Sequence, residues 1–288
     1  MTGSKGIPMK TSKLAISIVL CTLIALTLCT TTQAITGNSQ PDSTPYVCVV
    51  VLFSDAARTQ PISYSTGILI APNIVLTAGH SVLGGAAASV CFDQGPIICQ
   101  IDENGNVYYE TDQPIYNGVP MPYPEFAAGM LAGVKPSKVL QISDVGLIVL
   151  DTAVQEVTEF PTLPTVGLAD TLPKKTDLQV IGYGVTSVQR GNSPYTWDGI
   201  ISRNSATVEL LSTNFQGSNK YIRCTANSAQ GKGGIAYGDS GGPVMLHENG
   251  QSIVLAVNAF CKNANCAGVT YHTRIDNIQV LNWISGYI

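Results

Sequence analysis

Gly67-Ile68-Leu69-Ile70-Ala71-Pro72-Asn73-Ile74-Val75-Leu76-Thr77-Ala78-Gly79-His80 reads as two apolar runs joined by a tight turn. Ile, Leu and Val dominate both runs, each run has strand length, and Ala71-Pro72-Asn73 supplies the connection. The same texture recurs at residues 47–53, 145–150, 178–183, 206–211 and 253–257, with Gly, Pro, Asn and Ser as punctuation. Such spacing belongs to a barrel or a sandwich. Only the tail differs. Asn277, Val280, Leu281 and Ile284 fall near helical spacing behind Asp276, so the expected fold is all-β with a short C-terminal helix. Residues 93–124 are turn-rich and read as long surface loops. Two prolines, Pro161 and Pro164, mark 159–164 as the expected linker.

The N-terminus has the order of a signal peptide: Lys5, Lys10 and Lys13, an almost uncharged apolar run at 14–29, then small and polar residues to Ala34. The apolar run has 16 residues, short of the roughly 20 that span a bilayer. Cleavage after Ala34 is expected, with a retained anchor as the alternative. A chain of 288 residues less its first 34 keeps 254, enough for one large β unit or two smaller ones. Three lysines and no acid leave with the signal, moving the net charge from −4 to about −7. That balance argues against nucleic acid and against stable membrane association after signal cleavage. The mature chain is expected to be secreted and monomeric.

Eight cysteines become six once Cys21 and Cys29 are removed. An even count in an exported chain favours disulfides over metal, although six cysteines allow 15 connectivities. Cys91 with Cys99 and Cys261 with Cys266 are close enough to close small loops, which leaves Cys48 with Cys224. No CxxC pair or His/Cys cluster is present, so neither metal nor cofactor is expected. The acidic stretch 102–106, with Glu110 and Asp112, matches no defined calcium-loop spacing and reads as a solvated turn.

Three distant segments carry the chemistry. Val75-Leu76-Thr77-Ala78-Gly79-His80 is a strand ending in small residues and a histidine. Asp144 stands just ahead of an apolar strand at 145–150. The third is Gly238-Asp239-Ser240-Gly241-Gly242-Pro243. A serine hydroxyl is a weak nucleophile and needs an adjacent base, and the base needs an orienting group. Histidine suits the base because its pKa lies near neutrality, and a buried carboxylate fixes its tautomer. Glycines around the serine allow a turn that aims the Gly238 and Ser240 N–H groups at a developing oxyanion. A lone histidine or aspartate would mean little; the order His, Asp, Ser around the glycine-rich string decides.

These segments resemble the trypsin/chymotrypsin-like serine peptidase family over nearly the whole mature chain. Gly67 to His80 looks like its catalytic-histidine hairpin, and Val180-Ile181-Gly182-Tyr183-Gly184 is similar to the opening of its second barrel. Asn282-Trp283-Ile284 is similar to its closing helix. The resemblance implies two antiparallel six-stranded β-barrels, one in 35–160 with His80 and Asp144, one in 161–288 with Ser240, and a site between them. It implies His80 as general base, Asp144 as its orienter, Ser240 as nucleophile, and protein or peptide substrates. The family also buries a freed N-terminal ammonium against the acid beside the nucleophile. Cleavage after Ala34 would expose Ile35 as the partner of Asp239.

The chain departs from the family pattern at several places. Ser65 and Ser81 stand where cysteines commonly frame the histidine, and Ala236 stands where another precedes the nucleophile loop. The pocket is expected from Gly234, Ile235, Tyr237, Asn258, Ala259 and Phe260, with Asn258 and Phe260 in place of the customary Ser and Gly. Gly234 offers no counter-charge to a Lys or Arg side chain, so small or apolar side chains are favoured. His272 aligns ambiguously, and a strand-filling role is preferred to a pocket role. Two other readings stand beside the peptidase: a catalytically silent binding or adhesion protein on this scaffold, and an esterase using the same residues.

Overall fold

The Pro72–Asn73 turn joins two antiparallel strands, as runs of branched residues around a proline demand. The computed structural model describes residues 35, 37–101, 107–185, 200–264 and 266–288. The expected signal segment and the acidic stretch 102–106 lie outside the described residues. The chain runs through β1 (Gln40–Pro41), β2 (Val47–Phe53), β3 (Pro61–Ala71), β4 (Ile74–Thr77) and β5 (Ala87–Cys91). Next come β6 (Ile97–Ile101), β7 (Val107–Glu110), β8 (Ile115–Pro122), helix α1 (Pro124–Leu131), a 3-10 turn at Pro136–Gln141 and β9 (Gly146–Leu150). After α2 (Leu168–Thr171) follow β10 (Asp177–Gly182), β11 (Ile200–Ile201), β12 (Asn204–Ser212) and β13 (Tyr221–Ala226). The last elements are β14 (Pro243–Glu248), β15 (Gln251–Cys261), β16 (Gly268–Arg274) and α3 (Ile278–Ser285).

Strands β2-β3-β4-β9-β8-β5 close one six-stranded antiparallel barrel. Strands β12-β10-β14-β15-β16-β13 form a second ring of six, closed by the β12–β13 pairing, with β1 on its edge. β2 shows why the apolar runs are continuous rather than alternating. Cys48, Val50 and Leu52 point to a cluster inside the first barrel with Leu69, Val75 and Ile148. Val47 and Val49 point to a different cluster, which they share with Ile181 and Val257 of the second barrel and Val280 and Ile284 of α3. A strand buried on both faces has no polar side to show. Each such buried Val or Ile contributes about 1.5–3 kcal/mol, so the layer between the barrels fixes how they meet.

Arg203 crosses that layer. It is buried, and its guanidinium donates to the carbonyls of Asp42 (3.2 Å), Val47 (2.8 Å) and Phe92 (3.3 Å) and to the Tyr183 hydroxyl (3.2 Å), with the Asp42 carboxylate at 3.6 Å. A buried cation short of partners would cost several kcal/mol; this one is bonded to both barrels.

Three expectations change. Residues 93–124 are not all surface loop, since β6, β7 and β8 lie there. β8 carries Gly118 and Pro120, which hide a strand signal, but it pairs with β5 and β9 on its two sides and is needed to close the barrel. The C-terminal segment is not alone in being helical: α1 has a proline in its first turn and Glu125 behind it, an ordinary helix start that the turn-rich setting concealed. The segment expected as a linker is held to β15, with Thr162 N–H donating to Ser252 O at 2.9 Å and Thr162 O accepting from Val254 N–H at 3.0 Å. The C-terminal helix itself stands where the pattern put it, with the Asn277 side chain capping the Gln279 N–H at 3.0 Å.

Cys48, Cys91, Cys224, Cys261 and Cys266 are free thiols in this structure. The expected Cys48–Cys224 pairing is not found, because Cys48 lies in the interior of the first barrel and Cys224 in that of the second. Burial pushes both thiols far up from their ordinary pKa. The Cys99 side chain lies outside the described residues. Cys261 and Cys266 do meet: a thiol–thiol hydrogen bond holds Cys266 below the usual thiol range and pushes Cys261 above it.

Candidate active site

Strand pairing brings the histidine and the aspartate together. β4 and β9 run antiparallel with Thr77 opposite Gly146, so the residues following β4 lie beside those preceding β9. His80 N–H donates to Asp144 Oδ1 at 2.8 Å, and His80 Nδ1 is 2.7 Å from Asp144 Oδ2. The carboxylate is buried while the imidazole keeps 39% of its side-chain surface. Burial pulls the His80 pKa down, but the Asp144 charge and hydrogen bond outweigh it and hold the pKa above its ordinary value. With Nδ1–H committed to Asp144, Nε2 is the free basic nitrogen.

The turn before β14 carries Ser240. Gly238 has φ +97° and Gly241 φ +81°, both left-handed, which glycine adopts without strain. Gly241 is also a close approach: a Cβ there would lie 1.9 Å from Thr77 Oγ1 and 2.4 Å from Thr66 O. The turn therefore presses onto β3 and β4. Thr66 N–H donates to Ser240 O at 2.9 Å, and the Thr66 hydroxyl donates to Gly238 O at 2.9 Å while accepting from Tyr183 N–H at 3.1 Å. Neither the Gly238 nor the Ser240 N–H is used by another described residue. Asp239 is fully buried and accepts from Gly184 N–H and Ala236 N–H, each at 2.7 Å. Ile35, also buried, lies in the second barrel's core with Ile235.

Ser240 and His80 line one cavity of about 410 Å³. Of the residues expected around the pocket, Ile235, Tyr237, Ala259 and Phe260 line it; Gly234 and Asn258 do not. Asn258 is turned inward, its Nδ2 donating to Ile181 O at 3.2 Å and its Oδ1 3.0 Å from His272 Nδ1. That leaves His272 Nε2 to accept from the Thr270 hydroxyl at 2.9 Å. Burial lowers the His272 pKa to about 3, so the ring is neutral and fully hydrogen-bonded. It fills the strand interior rather than the cavity. Phe260 does not stand across the entrance on its own; it stacks on Tyr271 with centroids 4.7 Å apart. No carboxylate is among the described lining residues, whereas the cationic Lys262 is.

Thr66 and Lys262 escaped the reading of the sequence. Thr66 is a buried polar residue inside an apolar strand, a signal that something must bond to it, but the partner is 172 residues away. Lys262 has no local signal at all.

The family model described as Trypsin matches residues 35–284. Among solved structures, HL collagenase superposes with a TM-score of 0.59 at 16% identity, covering 84% of this chain and 92% of its own. That likeness concerns the fold. No curated protein matches the sequence. With two closed barrels, a His–Asp pair and a serine on one cavity, and a family match across nearly all of the described residues, the chain belongs to the trypsin family of serine endopeptidases.

Proposed function

We propose that this endopeptidase is an exported monomer in which Ser240 is the nucleophile, His80 the general base and Asp144 its orienter. The observation that carries the reading is the imidazole held at 2.7 Å by a buried carboxylate, on the wall of the cavity that Ser240 also lines. In this mechanism His80 Nε2 takes the Ser240 proton as Oγ attacks the scissile carbonyl, and Asp144 stabilises the imidazolium. Charge developing on the carbonyl oxygen is met by the unspent N–H groups of Gly238 and Ser240. The imidazolium then protonates the leaving amine, and water cleaves the acyl-enzyme with His80 again as base. Export rests on the composition of residues 1–34; among the described residues no helix is long and apolar enough to cross a membrane.

The pocket is read as taking small or apolar side chains. Ile235, Ala236, Ala259 and Phe260 give it apolar walls, and among the described lining residues a Lys or Arg side chain would meet Lys262 and no carboxylate. Digestion of a peptide library is expected to show cleavage after small or apolar residues at least about tenfold faster than after Lys or Arg, the discrimination a few missing contacts produce. A profile dominated by Lys and Arg would overturn the pocket reading. If a fluorophosphonate labels Ser240 but only esters are turned over, the esterase reading replaces it; absence of labelling favours a silent binding protein.

In the exported protein the Cys261–Cys266 contact is read as a disulfide that fixes Lys262, which lines the cavity. Peptide mapping without reduction is expected to recover the two linked. Alkylation of both without prior reduction would rule that out.

A further inference from the structure

The Asp144 carboxylate takes both of its hydrogen bonds from His80, and Asn258 of β15 bonds instead to Ile181 and His272. What holds the acid's own segment comes from the opposite barrel. Tyr221, on β13, is 1% exposed, and its hydroxyl donates to Ile142 O at 3.2 Å, two residues ahead of Asp144. The Asp144 backbone amide lies against the same phenol oxygen. A buried tyrosine hydroxyl generally finds such a partner, and removing it leaves a carbonyl unpaired. The ring of Tyr221 meets Phe260 edge-on with centroids 5.8 Å apart, and Phe260 forms part of the cavity wall. Leu140 packs into the same aromatic cluster, and the Ser218 hydroxyl donates to Leu140 O. The segment before Asp144 thus keeps other anchors when the phenol is removed.

We propose that Tyr221 is a positioning residue for the His80–Asp144 pair, tying that pair to the substrate-facing wall at Phe260. The proposal rests on the reading of Asp144 as the orienting acid. Its hydroxyl fixes the backbone from which the carboxylate projects, and its ring senses how Phe260 is packed. Loss of the hydroxyl lets Asp144 relax away from the imidazole. The group that lifts the His80 pKa is then weakened, while burial, which lowers it, remains.

The test uses Tyr221→Phe, which keeps the ring and its stacking. Only three histidines are present, and His272 stays neutral in its hydrogen-bonded interior site, so the His80 ring can be followed by NMR titration in the full-length mature protein. Tyr221→Phe is expected to lower the His80 titration midpoint, to lower kcat about tenfold, the size of one well-placed hydrogen bond, and to leave KM within about twofold. Phe260→Leu should also lower kcat, and Tyr221→Phe/Phe260→Leu should lose less than the product of the two single losses. A Tyr221→Phe protein that melts cooperatively with an unchanged His80 midpoint and unchanged kcat overturns the proposal, as does a loss confined to KM. The titration needs no turnover: a lowered midpoint in a protein that hydrolyses nothing would keep the positioning role and sink the peptidase mechanism instead.

Discussion

Replacing Ser240 with alanine is expected to lower kcat by on the order of a millionfold, the loss that serine peptidase triads show in general. His80→Ala should cost about as much, and the double variant little more than either single one, because the two act as one unit. KM should change little, since neither side chain forms the cavity's apolar walls. Some catalysis should survive, about 10³–10⁴-fold over water, from the Gly238 and Ser240 N–H pair and substrate binding. Asp144→Asn should cost roughly 10⁴, since it leaves the packing intact but favours the wrong imidazole tautomer. The pH profile separates these roles. His80 must be neutral to accept a proton, and Asp144 holds its pKa above the ordinary 6.5. In the native enzyme kcat/KM should therefore rise through a midpoint above 6.5, and Asp144→Asn should move that limb to lower pH. Turnover by Ser240→Ala within tenfold of the native rate would sink the mechanism.

The barrels were legible because their strands are buried on both faces, so local composition and tertiary environment agree at β2, β4 and β9. β8 was not, because its glycine and prolines lower local strand preference and only its two neighbours justify it. The site divides in the same way. His80, Asp144 and Ser240 each sit next to small residues that a strand end or a tight turn requires, and those leave a trace in sequence. The pocket leaves none. Whether Asn258 faces the cavity depends on a bulge in the β15–β16 register between Asn258 and Phe260. A one-residue slip exchanges the two faces of a strand, which is why Asn258 came out inside with His272 and Phe260 came out on the wall. Cys48 and Cys224 illustrate a second limit, since a cysteine count fixes neither which barrel holds a thiol nor which partner it meets.

A chain that begins at Ile35 is expected to be active and one carrying a single extra residue ahead of it about 10²–10⁴-fold less so, on the proposal that the freed ammonium pairs with Asp239. The carboxyl is fully buried; burial raises its pKa from 3.8 to about 7, and the N–H groups of Ala236 and Gly184 offset only part of that rise. Among the described residues no cationic side chain reaches it. Since the folded pKa is raised above the unfolded one, the uncleaved chain gains stability from this group below about pH 4 and loses it as pH rises to about 7. Three pKa units correspond to roughly 4 kcal/mol. Ile35 has φ +68°, which is costly for a β-branched residue, and cleavage of the preceding bond abolishes that torsion. The Asn38 side chain donates to Ser228 O at 2.8 Å and Lys232 O at 3.3 Å, holding the segment after Ile35 on the second barrel. The freed ammonium, buried against Asp239, would form a pair whose loss costs about 3–5 kcal/mol, which sets the expected drop in competent enzyme. Asp239→Asn should flatten the pH 4–7 stability slope of the uncleaved chain, yet inactivate the mature one by leaving its ammonium unpaired. Edman sequencing of the exported protein, with urea unfolding of both forms between pH 4 and 7, checks the account. A mature start other than Ile35, or an extended chain of equal activity and the same pH slope as the mature one, overturns it.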